Sequence, residues 1–190
     1  MECMMKLWIL VFALLPVTVY ADTEVIEKYK FYIVSASAAN YLLTSLNLES
    51  PVRENGDIYH ANTQYQLKTR FWWRKDNGLC RLAKTKTVLK LNYTLPKLNT
   101  KKRDVLAVWQ QWYPHLYTHE KGHGSLAKQT AETIDKQLLA IKAHSKSASL
   151  KIKAQSIAQK EILKLKQSFK DYDLKTNHGE TQGAWIYAYL

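Results

Sequence analysis

Cysteine is nearly absent from this chain. Of its two cysteines, Cys3 lies in an N-terminal stretch with the features of an export signal, which leaves Cys80 alone after processing. One cysteine cannot close an internal disulfide, so Cys80 is either buried apolar filler, the usual role, or an intermolecular link. Long apolar runs are missing as well. Leu7 to Leu15, preceded by Lys6, has the length of a signal-peptide core and falls short of the ~20 residues that cross a bilayer, and no later stretch qualifies. Val19-Tyr20-Ala21 presents small residues where a signal peptidase reads, which predicts cleavage after Ala21, no membrane span thereafter, and a periplasmic or secreted product. Removing 21 of the 190 residues leaves 169, enough for one core, and no solenoid repeat or low-complexity linker divides them, so residues 22–190 read as a single domain. Acidic residues are few, 16 against 28 Lys and Arg, for a net charge of +12. That balance suits an anionic neighbour such as an outer envelope surface, anionic lipid or nucleic acid. The many lysines from Lys142 to Lys170 have a single aromatic, Phe169, among them, which argues against nucleic acid and fits a solvated helix face.

What is present centres on Thr118 to Gly124, which contains H-E-x-x-H as His119, Glu120 and His123. Histidines four apart on a helix point the same way and can grip one zinc ion, with the intervening glutamate in reach of a water on that metal. Such a water is acidified towards ~7, and a carboxylate can take its proton and hand it to a leaving amine. Trp112, Leu116, His119, His123, Ala127, Thr130, Ile134 and Leu138 recur at three- and four-residue steps, so both histidines interrupt an apolar helix stripe and face the interior. Gly122 and Gly124 are poor helix formers beside these ligands, which makes sense where something approaches the helix closely.

The surrounding pattern is strands first and helices after, an α+β arrangement expected to set an N-terminal antiparallel sheet with a prominent hairpin ahead of two long helices. Glu24 to Val34 alternates as a first strand, and Ser37 to Leu48 suits a short helix. Thr63, Tyr65, Leu67, Thr69, Phe71 and Trp73 share one face of a second strand, and Lys75-Asp76-Asn77-Gly78 turns it into a hairpin. On the return strand Thr85, Thr87, Leu89, Leu91 and Tyr93 share a face, but Cys80 and Leu82 are out of phase with them, which predicts a bulge near Ala83. Its repeated lysines suit a solvated edge strand, one that can pair with an extended substrate or simply be guarded by charge. Asp104 starts the motif helix, Pro114 either kinks it or opens a new one, and it runs to about Ala143. A second helix follows a break at Ser145 to Ser149 and continues to about Phe169, with Ala154, Ala158, Ile162, Leu165 and Phe169 as its stripe.

A catalytic zinc site takes three protein ligands. No histidine follows the motif at the metzincin spacing, Glu132 falls on the opposite side of the helix, and Glu161 lacks an acidic partner four residues on. Asp171 to Gly179 is dense in ligand-type side chains and reads as a loop returning towards the motif helix. His178 is the expected third ligand, with Asp173 as the alternative. Tyr172, or whichever of the two does not bind, is placed to hold an oxyanion or orient a ligand. His60, His115 and His144 have no partner in sequence and read as structural or exposed.

The export signal, the hairpin from Cys80 to Leu95-Pro96, Trp112 ahead of His119-Glu120-Lys121-Gly122-His123, and Tyr172-Asp173-x-x-Thr176-x-His178-Gly179 together form a pattern. It resembles the bacterial predicted secreted zinc-dependent proteases, long catalogued as a domain of unknown function. The resemblance implies a zincin-like fold, export, and peptidase activity inferred from H-E-x-x-H. The lack of a second mature cysteine sets this chain apart from members with a disulfide. The expectation is therefore a secreted zinc metallopeptidase acting on peptide or protein substrates, with Glu120 as general base. The rival expectation is a non-catalytic basic envelope protein with a structural metal or none. A zinc hydrolase of cell-wall cross-links is a third.

Overall fold

The computed structural model describes residues 20–54 and 56–190. The apolar run expected to serve in export lies outside them. Three long strands form one sheet in the order β1-β5-β4: β1 is Tyr20–Val34, β4 Asn62–Asp76 and β5 Leu79–Leu98. A short helix α1, Leu42–Glu49, and a small ribbon of β2, Val52–Glu54, and β3, Asp57–Tyr59, link β1 to β4. Helices α2, Arg103–Leu139, and α3, Ser147–Thr176, follow, and the chain closes with short 3-10 turns at Glu180–Gln182 and Ile186–Tyr189. The architecture is α+β, a sheet followed by two long helices. Among the described residues no helix is long and apolar enough to cross a membrane.

Two sequence expectations about the sheet need correction. The sheet is mixed rather than antiparallel: β4 and β5 form the expected hairpin, but β1 runs parallel to β5, with Tyr20 opposite Lys84 and Val34 opposite Leu98. The lysine-bearing β5 is the central strand, and β4 is an edge. Lys84, Lys86 and Lys90 of β5 sit on the face turned away from α2, which is solvated without being an edge.

The hairpin turn is made by Asn77 and Gly78, both at positive φ, as a two-residue loop with right-handed strand twist requires. The expected bulge is present. Trp72 pairs with Lys84 and Trp73 with Leu82, so Ala83 is the extra residue. The extra residue puts Cys80 and Leu82 on the same inward face as Thr85, Thr87, Leu89, Leu91 and Tyr93, all buried. Cys80 is buried filler beside Ile134, Leu138 and Leu150.

Helix α2 lies along this inward face. Pro114 sits inside it, exposed, where the lost backbone donor faces solvent, so the helix neither ends nor restarts there. The stripe Trp112, Leu116, Ala127, Ile134 and Leu138 is buried as its spacing requires. Two contacts fix its height on the sheet. Buried Asp135 accepts hydrogen bonds from Thr23 (2.6 Å) and Thr87 (2.7 Å), and a Cβ on Gly124 would overlap the Tyr93 hydroxyl. Helix α3 runs back beside α2, bringing Leu150 to Ile134 at one end and Phe169 to His123 at the other. It continues past Phe169 to Thr176, where the left-handed Asn177 ends it.

Candidate metal centre

The extension of α3 decides the site. Residues 171–176, expected as loop, form its last turns, and Asp173 continues the stripe Leu165, Phe169 at four-residue steps. The carboxylate therefore arrives directly opposite the motif helix. Asp173 Oδ1 stands 2.9 Å from His123 Nε2 and 3.4 Å from His119 Nε2. Ligand atoms of His119, His123 and Asp173 all lie within 4.8 Å of one another. Two imidazole nitrogens and a carboxylate oxygen make a donor set that could hold a metal ion.

His178, the expected third ligand, is not the residue brought to this pair. It follows the helix end at positive φ, its ring is exposed and lies 5.7 Å from that of Tyr59, and its carbonyl accepts from Trp185 Nε1. It borders the same cleft but stands outside the cluster. The alternative, Asp173, takes the place.

Of the donors, His119 is held from behind, whereas His123 Nδ1 is buried without a hydrogen-bond partner among the described residues. His119 Nδ1 donates to Gln182 Oε1 at 2.9 Å, which turns Nε2 towards Asp173. Tyr172 stacks on the His119 ring with centroids 5.1 Å apart, and its hydroxyl exchanges hydrogen bonds with Gln182. Tyr172 thus supports a ligand, and its hydroxyl is engaged away from any oxyanion. The close approach expected at Gly122 is that of Tyr172, whose hydroxyl fills the space a Cβ would need. Gly179, at φ 85°, packs its backbone against the His119 ring, and its N–H donates to Thr176 Oγ1. Gln182 is anchored in turn, because the buried Trp112 donates its indole N–H to Ala184 O at 2.8 Å.

Glu120 is buried beside the donors. Its Oε2 accepts from the Thr63 hydroxyl at 2.5 Å, across from the first residues of β4. Burial pushes its carboxyl up, against the pull of Thr63 and the two histidines. Burial also opposes charge on Asp173 and His119. At Asp173 hydrogen bonds from both histidines win, and the carboxyl lies well below its usual range. At His119 the acceptors Asp173 and Gln182 win, and the ring is pushed up.

The cluster opens onto a cleft of about 720 Å³. Its walls are α2, α3, the start of β4, the β2–β3 ribbon and the segment around Trp185. His60 also lines it, hydrogen-bonded through Nε2 to Asn47 and lowered to about 4 by burial, so it is neutral at pH 7. His115 is exposed, and His144 pairs through its backbone with Cys80. Gln182 and Thr63 had no signal in the sequence, being polar residues remote from the motif.

Fold and site together define an α+β protein with a His-His-Asp donor set, its histidines buried and its carboxylate half-buried, and an adjacent carboxylic acid on one cleft. The chain belongs to the family described as bacterial protein of unknown function (DUF922), whose pattern matches residues 29–179 and so includes both the H-E-x-x-H segment and the Tyr172 to Gly179 segment. No curated protein and no solved structure matches it.

Proposed function

We propose that this chain is an exported zinc-dependent peptidase. The observation that carries the reading is the meeting of Asp173 with His119 and His123 beside the buried Glu120, at the floor of one cleft. Donors ~2.0–2.1 Å from a tetrahedral zinc ion stand roughly 3.3 Å apart. The 2.9 and 3.4 Å separations at Asp173 Oδ1 are close to that spacing. Zinc held there would polarise a scissile carbonyl and acidify an attacking water.

The chain's own residues supply the rest. Thr63 fixes one oxygen of Glu120, and among the described residues its Oε1 has no hydrogen-bond partner. That oxygen is left to take a proton from water and pass it to the leaving nitrogen, a transfer favoured by a carboxyl raised through burial. Edge strand β4 begins beside Glu120, so an extended peptide can pair with its free backbone and lie across the donors. Tyr59, Phe169 and Trp185 offer apolar walls to its side chains.

The test joins metal content to turnover. Elemental mass spectrometry of the parent should find about one zinc per chain, lost in His119→Ala. Glu120→Gln should keep the zinc and lose hydrolysis of a peptide library. A parent without zinc after reloading, or a Glu120→Gln variant as active as the parent, would sink the reading. Export is tested separately, by N-terminal sequencing of the protein recovered from the envelope, with Asp22 expected first.

A further inference from the structure

The opposite end of the molecule carries an arrangement that the cleft does not explain. Beyond Lys84 the hairpin continues as a ribbon of two strands past the first described residue of β1. On its face turned away from α2, Arg74 stands directly opposite Arg81, and Arg70 opposite Lys86. Like charges directly opposed on a sheet destabilise it. Lys86 is relieved by Glu24 at 2.8 Å and Asp22 at 3.7 Å, whereas Arg74 and Arg81 form no salt bridge among the described residues. Trp72 lies among these cations, 46% exposed, with Lys84 Nζ 5.6 Å from its ring centre. The other face of the ribbon exposes Trp73 at 43%, and the turn exposes Leu79 at 38%.

We propose that this hairpin end docks on an anionic lipid bilayer surface. Unbalanced cations call for an anionic partner, and each Lys or Arg near an anionic membrane adds to binding. Tryptophans on both faces of the ribbon and a leucine at its tip favour lipid over an anionic polymer. A polymer lying on the arginine-bearing face would reach Trp72 and Leu79 and leave Trp73 in water, while insertion of the tip into headgroups covers all three. The α2–α3 connection adds exposed Lys142 and Lys146 at this end, because His144 between them pairs with Cys80. Trp73 is ten residues along β4 from Thr63, roughly 30 Å at ~3.3 Å per residue, so docking leaves the cleft open to solvent.

The test uses protein recovered after export and vesicles of phosphatidylcholine with or without phosphatidylglycerol. The parent should sediment with the anionic vesicles, release from them at high salt, ignore the neutral ones, and shift its tryptophan emission to the blue. Arg74→Gln with Arg81→Gln should weaken binding roughly 25-fold, about fivefold for each cation. That pair should also melt no lower than the parent, because it removes a repulsion, so loss of fold cannot mimic the effect. Trp72→Ala with Trp73→Ala should weaken binding on the order of tenfold and abolish the blue shift. Lys153→Gln with Lys160→Gln, on α3, should bind as the parent does. The proposal is overturned if the anionic vesicles are not bound, or if the hairpin variants bind like the parent. It is equally overturned if the α3 pair alone loses binding, or if heparin is bound while vesicles are ignored.

Discussion

Asp173 meets His123 at 2.9 Å across 50 residues of sequence, and this one contact closes the end of the α2–α3 pair over the cleft. The carboxylate is the only acidic group that the described residues bring to the two motif histidines as a donor. Its position follows from α3 persisting seven residues beyond Phe169, so metal binding and the length of a helix are coupled.

Replacing Asp173 should therefore cost metal, and replacing His178 should not. Asp173→Ala is expected to lower zinc affinity by more than ~100-fold, beyond the loss seen for supporting residues. His178→Ala should keep about one zinc per chain. Competition with a zinc-responsive dye measures both. Loss in His178→Ala with retention in Asp173→Ala would reverse the assignment.

Gln182 is the support with the sharpest signature. It accepts from His119 Nδ1 and thereby presents Nε2 to the donor cluster. Gln182→Ala should reduce zinc affinity about 10–100-fold, whereas Gln182→Glu, which keeps an acceptor, should retain most of it. The same dye competition separates the two variants.

Thr63 should matter to stability before it matters to turnover. Its hydroxyl is the hydrogen-bond donor to a buried carboxylate. Thr63→Val keeps the volume and removes that donor, at a cost of roughly 1–3 kcal/mol. Thermal melting at neutral pH measures the loss, and Thr63→Ser should recover most of it.

With metal removed by a chelator, the site should impose a pH window on stability. Asp173 is depressed from its ordinary 3.8, so its contribution is present above that value and lost as pH falls through the folded one. His119 is raised from 6.5, so its contribution is full below 6.5 and lost as pH rises through the folded value. The melting temperature of the chelated parent, relative to that of Asp173→Asn, should thus be highest between about pH 4 and 6.5 and converge on either side. A constant difference across the range would remove the ion pair as its source.

Much of this was legible in the sequence, and the exceptions have physical causes. The hairpin, its Asn77-Gly78 turn and the bulge at Ala83 follow from period-two alternation and its break, which are local signals. The buried placement of His119 and His123 follows from a 3.6-residue stripe. The parallel pairing of β1 was not legible, since alternation fixes a strand's faces but says nothing of its neighbour's direction. Asp173 was underrated because Asp171 to Asp173 suggests a turn. The left-handed Asn177 and Gly179 were the truer stop signal, and extending the stripe by one four-residue step reaches Asp173. Thr63 and Gln182 act only through tertiary contact, so nothing near them in sequence announces them.

The glycine beside the second motif histidine offers a test of how tightly support and fold are joined. In an exposed helix Gly→Ala would stabilise by about 1 kcal/mol. At Gly122 the added Cβ meets the Tyr172 hydroxyl and ring, so the tyrosine must move off His119. Gly122→Ala should therefore melt lower than the parent and bind zinc about 10–100-fold more weakly. Tyr172→Phe removes the oxygen nearest the new methyl, and the double variant should recover part of the melting temperature. It should not recover the affinity, because the hydrogen bonds of Tyr172 to Gln182 are gone. A double-mutant cycle on melting temperature and zinc affinity separates the steric term from the hydrogen-bonding one. Additive effects in both would mean that Gly122 and Tyr172 do not act together.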